Sequence, residues 1–110
     1  MKEENESNLI RGFKQGDEKA FNQLVLINQK RIYDLVYRMV RNKQDAADLS
    51  MEVFVRAYQS LKNFEERSSF YVWLTRIAVN LCLNFLKREK FRSFFSIFSF
   101  IVSGFAFDTL

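Results

Sequence analysis

The sequence predicts an all-α protein: a compact bundle of about four helices, followed by an atypical Phe-rich C-terminal tail. Three observations carry that prediction. Pro is absent and Gly occurs only three times in 110 residues, so the chemistry of tight turns is scarce. Apolar residues recur at steps of three and four, the helical period, from Phe21 onward. Polar residues suited to helix capping stand ahead of these runs. A chain of 110 residues is one domain at most. A hydrophobic fraction of 48%, with 13 Phe, is enough for an aromatic-rich core.

Taken in order, residues 1–6 read as a flexible polar tail, and residues 7–92 as the helical domain. Ser7 or Asn8 caps a short helix to about Lys14, Gly16 breaks it, and Asp17 caps the next. In that second helix Phe21, Leu24, Val25, Ile32, Leu35, Val36 and Met39 lie on one face, and the helix runs to about Arg41. After "RNKQD" a third helix runs from about Gln44 to Leu61, with Ala46, Leu49, Val53, Ala57 and Leu61 as its buried stripe. "KNFEERSS" reads as a loop ending in Ser68 or Ser69, either a good cap for the fourth helix. There Phe70, Leu74, Ile77, Leu81 and Phe85 point to the core. The segment "FRSFFSIFSFIVSGFAFDTL" holds seven Phe in 20 residues with no clear period, and residues 93–110 are set apart as a tail of unknown role.

Composition narrows the chemistry. There is no His and one Cys, Cys82. That excludes a His triad, a His metal site, a structural zinc site and an internal disulfide framework. No catalytic residue, metal or cofactor is assigned. Cys82 reads as a small buried hydrophobe. The start, "MKEENESN", is not a signal peptide, and no run reaches the ~18 apolar residues of a membrane span, so a cytoplasmic protein is expected. The net charge of +4 and pI of 9.4 suit an anionic partner.

Two polar stripes give that partner a location. On the fourth helix Trp73, Arg76, Asn80, Asn84 and Lys87 are spaced three and four apart, so they share a face beside the core positions. Arg88, Lys90 and Arg92 extend its positive end. A ring to stack on a base, amides and guanidinium to read base edges and cations for phosphates are what unpaired nucleic acid requires. Each residue also has a packing explanation. Phe70 reads as core, Tyr71 and Trp73 as core or platform, and the terminal cations as partners of the helix dipole. On the third helix Asp45, Asp48, Glu52, Arg56 and Gln59 form a second stripe, either a plain solvated face or a docking surface for a basic partner.

The stretches "GDEKAFNQLV", "DAADLSMEVFVRAYQSLKNF" and "SSFYVWLTRIAVNLCLNFLKR" resemble region 2 of bacterial extracytoplasmic-function (ECF) sigma factors, in the sigma-70 family. The resemblance runs from about Asn8 to Lys90. It implies a helical domain that docks on the clamp helices of the largest subunit of core RNA polymerase, and that recognises and melts the promoter −10 element. Carried over residue by residue, it implies docking through Asp45, Asp48, Glu52, Arg56 and Gln59. It implies DNA contacts from Phe64, Arg67, Ser68, Ser69, Tyr71, Trp73, Arg76, Asn80, Asn84, Lys87 and Arg88. The loop from Lys62 to Ser69 is the expected pocket for a flipped base of the non-template strand. Two departures stand out. Met51 replaces the family's usual Gln, and "FEERSSF" replaces "FRGDSSF", putting Glu65 and Glu66 in place of an Arg-Gly pair. The family's second helical domain, region 4, which reads the −35 element, has no counterpart here.

Two other readings remain. The chain is a truncated or decoy region 2 that occupies core polymerase or an anti-sigma factor without starting transcription. Or its Phe-rich tail binds a membrane, against which stands the missing amphipathic period of an interfacial helix.

Overall fold

A computed structural model describes the backbone of residues 2–108 and the side-chain surroundings of residues 5–104. Four α-helices follow one another: α1 Lys2–Lys14, α2 Glu18–Val40, α3 Lys43–Ser60 and α4 Phe70–Asp108, with a 3-10 turn Leu61–Asn63 after α3. The described residues contain no strand. The all-α bundle predicted from periodicity is therefore what forms.

Local chemistry sets each boundary. Gly16 takes φ 106°, a conformation costly for any other residue, and turns the chain from α1 into α2. The Asp17 carboxylate caps α2 by accepting from the Lys19 N–H at 3.1 Å. Arg41, at φ 59°, closes α2 in the left-handed conformation and donates its N–H to the Tyr37 carbonyl at 2.8 Å. Asn42 caps α3 through the Asp45 N–H at 2.9 Å. The Ser69 hydroxyl accepts from the Val72 N–H at 3.2 Å, so Ser69 and not Ser68 caps α4.

The core sits where α2, α3 and the first half of α4 meet, with α1 laid across α2. All five positions expected on α3 are buried, as are Phe21, Leu24, Ile32 and Val36 of α2 and Phe70, Leu74 and Leu81 of α4. Ala78 and Cys82 join them, because a helix in a groove between two others buries an arc wider than one stripe. Two buried polar residues on the long helices were not anticipated. Asn28 donates its amide to the Leu24 carbonyl at 2.9 Å and, more weakly, toward the Glu6 carboxylate at 3.5 Å. Ser50 is buried with its hydroxyl unpartnered among the described residues.

Both ends of the chain differ from expectation. The first helix begins at Lys2 rather than Ser7, and Glu6 is folded against the bundle. A polar stretch rich in Glu has good helix propensity and needs no cap at Ser7 to start. At the other end there is no break after Arg92, since nothing but Gly104 opposes helix there. Helix α4 has 39 residues, and the molecule measures 70 × 23 × 23 Å. From Lys90 to Gly104 every residue is exposed. We call this overhang the arm.

The arm has a period after all. Along α4 the core-facing line Leu74, Ala78, Leu81, Phe85 continues, in steps of three and four, into Glu89, Arg92, Ser96, Ser99 and Ser103. The outward line Trp73, Arg76, Asn80, Asn84, Lys87 continues into Phe91, Phe94, Phe98 and Ile101. The polarity of the two faces swaps where the bundle ends. Ile97 and Phe100 sit off the apolar line and hide this pattern in the sequence.

Glu66 carries a backbone cost. It adopts φ 57°, the left-handed region that glycine enters freely, at the position where the resembled motif has Gly. A side chain there costs ~1–2 kcal/mol, partly offset by the greater freedom of an unfolded glycine. Glu66→Gly is expected to stabilise the protein by about 0.5–1 kcal/mol, a rise of a few degrees in Tm on thermal denaturation. Cys82 supplies a second check. It is fully buried, and burial pushes its thiol above the ordinary value, so little thiolate exists at pH 8. Labelling with a disulfide reagent at pH 8 should be slow in the native protein and rapid in denaturant.

Candidate nucleic-acid interface

The N-terminus of α4 is held by aromatics. Trp73 packs on Phe64, ring centroids 4.8 Å apart, and on Phe70 at 5.7 Å. Phe64 and Phe70 meet edge-on at 6.2 Å. The Phe64 carbonyl accepts from the Lys14 ammonium, which ties the loop to α1. The loop beyond Phe64 and the N-terminal cap of α4 close over a concavity of about 400 Å³, walled also by Glu6, Ser7 and Ile10 of α1. Its rim carries Arg67, Ser68 and Ser69. Arg67 pairs with Glu65 at 2.9 Å, and both are so exposed that the pair contributes little stability.

Several expected contacts need correction here. Phe64 is 5% exposed, so its ring is a wall and a support for Trp73, not a free stacking surface. Trp73 is half-buried, with one side against Phe64 and only part turned outward. Tyr71 is also half-buried, and its ring face is covered by the Arg31 guanidinium, 3.6 Å from the centroid. Arg31, on α2, was missed by sequence reasoning, as were Glu6 and Ser7. They lie far away in the chain, and only the packing of α1 and α2 brings them to α4.

Below the aromatic end, the outward line behaves as its spacing requires. Arg76, Asn80, Asn84, Lys87 and Arg88 are exposed, with no hydrogen bond or ion pair among the described residues. Their donors and acceptors are open to an incoming group. The α3 stripe also faces solvent. Asp48 accepts from the Gln44 amide at 3.1 Å, Glu52 pairs with Arg56 at 3.1 Å one turn on, Asp45 is half-buried, and Gln59 is exposed. The two stripes are not separate. Glu52 and Arg56 line one groove with Asn84, Lys87 and Arg88, and Arg56 lines the next with Asn80 and Asn84. The acidic stripe thus becomes the far bank of the channel beside the basic one.

The edge of α3 away from α4 holds a feature the sequence reading passed over. Met51 and Val55 are 70% and 50% exposed, and with Phe21, Val25, Tyr33 and Phe54 they form an apolar cleft of about 660 Å³ between α2 and α3. Its signal was the run of apolar residues on the non-core side of α3, of which only Met51 was noted.

Comparison with known proteins agrees with this architecture. Residues 24–92 match the family model for sigma-70 region 2. The chain belongs to the sigma-70 region 2 family, in its ECF branch. It is 41% identical over 86 residues to the RNA polymerase sigma-H factor of Pseudomonas aeruginosa, covering 78% of this chain and 45% of that protein. It is 40% identical over 81 residues to the ECF sigma factor SigW of Bacillus subtilis, covering 74% of this chain and 43% of that one. For the ECF sigma-E factor of Escherichia coli K12 the identity is 44% over 78 residues, 71% of this chain and 40% of that protein. The chain spans less than half the length of these curated relatives. Its fold is similar to that of an engineered region 2 of sigmaE solved in complex with GTAAAA, at TM-score 0.73 and 38% identity, covering 79% of this chain and 90% of that one. The sigma-70 region 2 match ends at Arg92, so the arm from Ser93 onward lies outside it.

Proposed function

We propose that this chain is a non-catalytic transcription factor domain. It docks on core RNA polymerase in the cytoplasm, recognises the promoter −10 element and holds its non-template strand open. The observation that carries this reading is the exposed, unengaged line Arg76, Asn80, Asn84, Lys87 running down α4 from the Trp73 platform beside the loop concavity. Trp73 takes the outer face of one base, and the loop concavity takes a flipped one. The two amides address base edges, and Arg76, Lys87, Arg88 and Arg31 neutralise phosphates. The similar region 2 in complex with GTAAAA supports a single-stranded ligand of that kind. Binding by stacking and charge needs no bond chemistry.

Docking is assigned to α3. Asp45, Asp48, Glu52, Arg56 and Gln59 meet a basic helical surface, the clamp helices of the largest subunit, and Met51 and Val55 add apolar area on the adjoining edge. An anti-sigma factor would compete for the same face. Because Glu52 and Arg56 also bank the α4 channel, docking and strand capture share those two residues, whereas Asp48 belongs to docking alone.

The test separates the two faces. Trp73 is the only tryptophan, so its emission reports on the platform directly. Adding the strand GTAAAA should change that emission, and the affinity should fall steeply as salt is raised. Asn80→Ala and Asn84→Ala should each weaken strand binding by roughly tenfold, the ~1.4 kcal/mol of a good side-chain contact to a base. Neither should alter competition for core polymerase. Asp48→Arg should do the reverse, weakening core binding while leaving strand binding unchanged. Unaltered strand affinity in both Asn variants would overturn the assignment of α4. Unaltered core competition by Asp48→Arg would overturn that of α3.

A further inference from the structure

The arm projects from the bundle with an apolar seam that nothing among the described residues covers. Phe91, Phe94, Phe95 and Phe98 are 68%, 66%, 59% and 55% exposed, and Ile101 and Val102 are 59% and 48% exposed. These residues recur in steps of three and four along one side, and Phe91 and Phe98 are a heptad apart. Phe91 stacks on Phe95, and Phe94 on Phe98, at 6.2 and 6.4 Å, so the rings form a continuous ridge. Ser93, Ser96, Ser99 and Ser103 lie on the other side, interrupted by Phe100 and flanked by Ile97. A ridge on one side and hydroxyls on the other suits a single elongated apolar partner.

Charge decides among the candidates. Unpaired nucleic acid needs cations along its phosphates, and the arm has none between Ser93 and Gly104. A lipid surface favours a helix whose polar face is rich in Lys and Arg, and between Ser93 and Gly104 there is neither. No helix among the described residues is long and apolar enough to cross a membrane. A second arm remains, and the charges fix its direction. Lys87, Arg88, Lys90 and Arg92 crowd the bundle end of the arm, with one acid among them, Glu89, which pairs with Arg92 at 3.4 Å. Parallel pairing would bring two such clusters together. Antiparallel pairing sets them at opposite ends, each beside the partly negative C-terminal end of the other helix.

We propose that two copies of this chain associate through their arms, antiparallel, across a twofold axis near Phe98. Phe94 then faces Val102 of the second copy, and Phe95 faces Ile101. The contact is isologous, so it closes at two copies and does not propagate. Five or six side chains, each burying ~100 Å², give about 1,000 Å² in total, at the low end for a specific interface. The dimer is therefore weak, with a Kd on the order of micromolar. The inference is independent of the function proposed above.

Sedimentation of the full chain over a range from about one to a hundred micromolar tests it, with a dimer expected at the upper end. Phe98→Glu should leave a monomer of unchanged helicity. Phe100→Ser, which alters a ring off the seam, should leave the dimer intact. A mixture of Phe94→Cys and Val102→Cys chains should cross-link on oxidation, and Phe94→Cys alone should not, since the native Cys82 is buried. A monomer throughout the range overturns the proposal. So do cross-linking of Phe94→Cys with itself, polydisperse aggregates dissolved equally by both substitutions, and a monomer that floats with anionic phospholipid vesicles.

Discussion

The one-sided seating of α4 in the groove between α2 and α3 is the constraint on which the rest depends. Phe70, Leu74, Ala78, Leu81 and Cys82 are buried together, and a rigid helix with one face fixed has its opposite face fixed as well. Rotation by even a third of a turn would bury the Asn80 amide and expose Leu81. The core thus aims Arg76, Asn80 and Asn84 outward with no dedicated contacts of their own. Hydrophobic burial, at ~25 cal/mol per Å², makes that rotation costly. The apolar side of the helix specifies the polar side.

The aromatic end and the loop are held differently, by few but distinct contacts. The Phe64–Trp73–Phe70 cluster and the Lys14 tether hold the loop against α1, while Glu66 sits in a conformation that favours glycine. Such a loop is set by its two ends and not by its own preferences. The concavity there is walled by loop residues, whereas the face beside it belongs to a continuous helix. Farther along, the meeting of the α3 and α4 stripes across one groove joins two surfaces that look independent in sequence. Glu52 and Arg56 lie where a partner on α3 and a ligand on α4 would feel each other. If α3 docks and α4 captures a strand as proposed, that adjacency would link the two electrostatically.

Most of the fold was legible because its cause is periodic. Val53 and Leu74 fall on stripes that any helix must bury, and Asp17 and Ser69 are capping residues in capping places. The exposed part of the candidate site was legible for the same reason, since Asn80 and Asn84 fall off that stripe. What failed depends on contacts between distant segments. Nothing near Tyr71 announces that Arg31 will lie on its ring, and nothing near Phe64 says that α1 and Trp73 will enclose it. The arm was misread for another reason. With serine as its only polar residue between Ser93 and Gly104, its amphipathic contrast is weak, and Ile97 and Phe100 blur it further. Helix needs no such contrast to form, only the absence of a breaker.

The central claim is that the core turns the α4 amides toward an unpaired strand, and side-chain amide resonances observe it directly. The full chain, labelled with nitrogen-15, is titrated with the strand GTAAAA. The account predicts that the Asn80 and Asn84 NH₂ signals move together with the Trp73 indole, while the NH₂ of Asn28, buried between Glu6 and Leu24, stays in place. Movement confined to α1 and α2, with Asn80 and Asn84 unchanged at saturation, would contradict it.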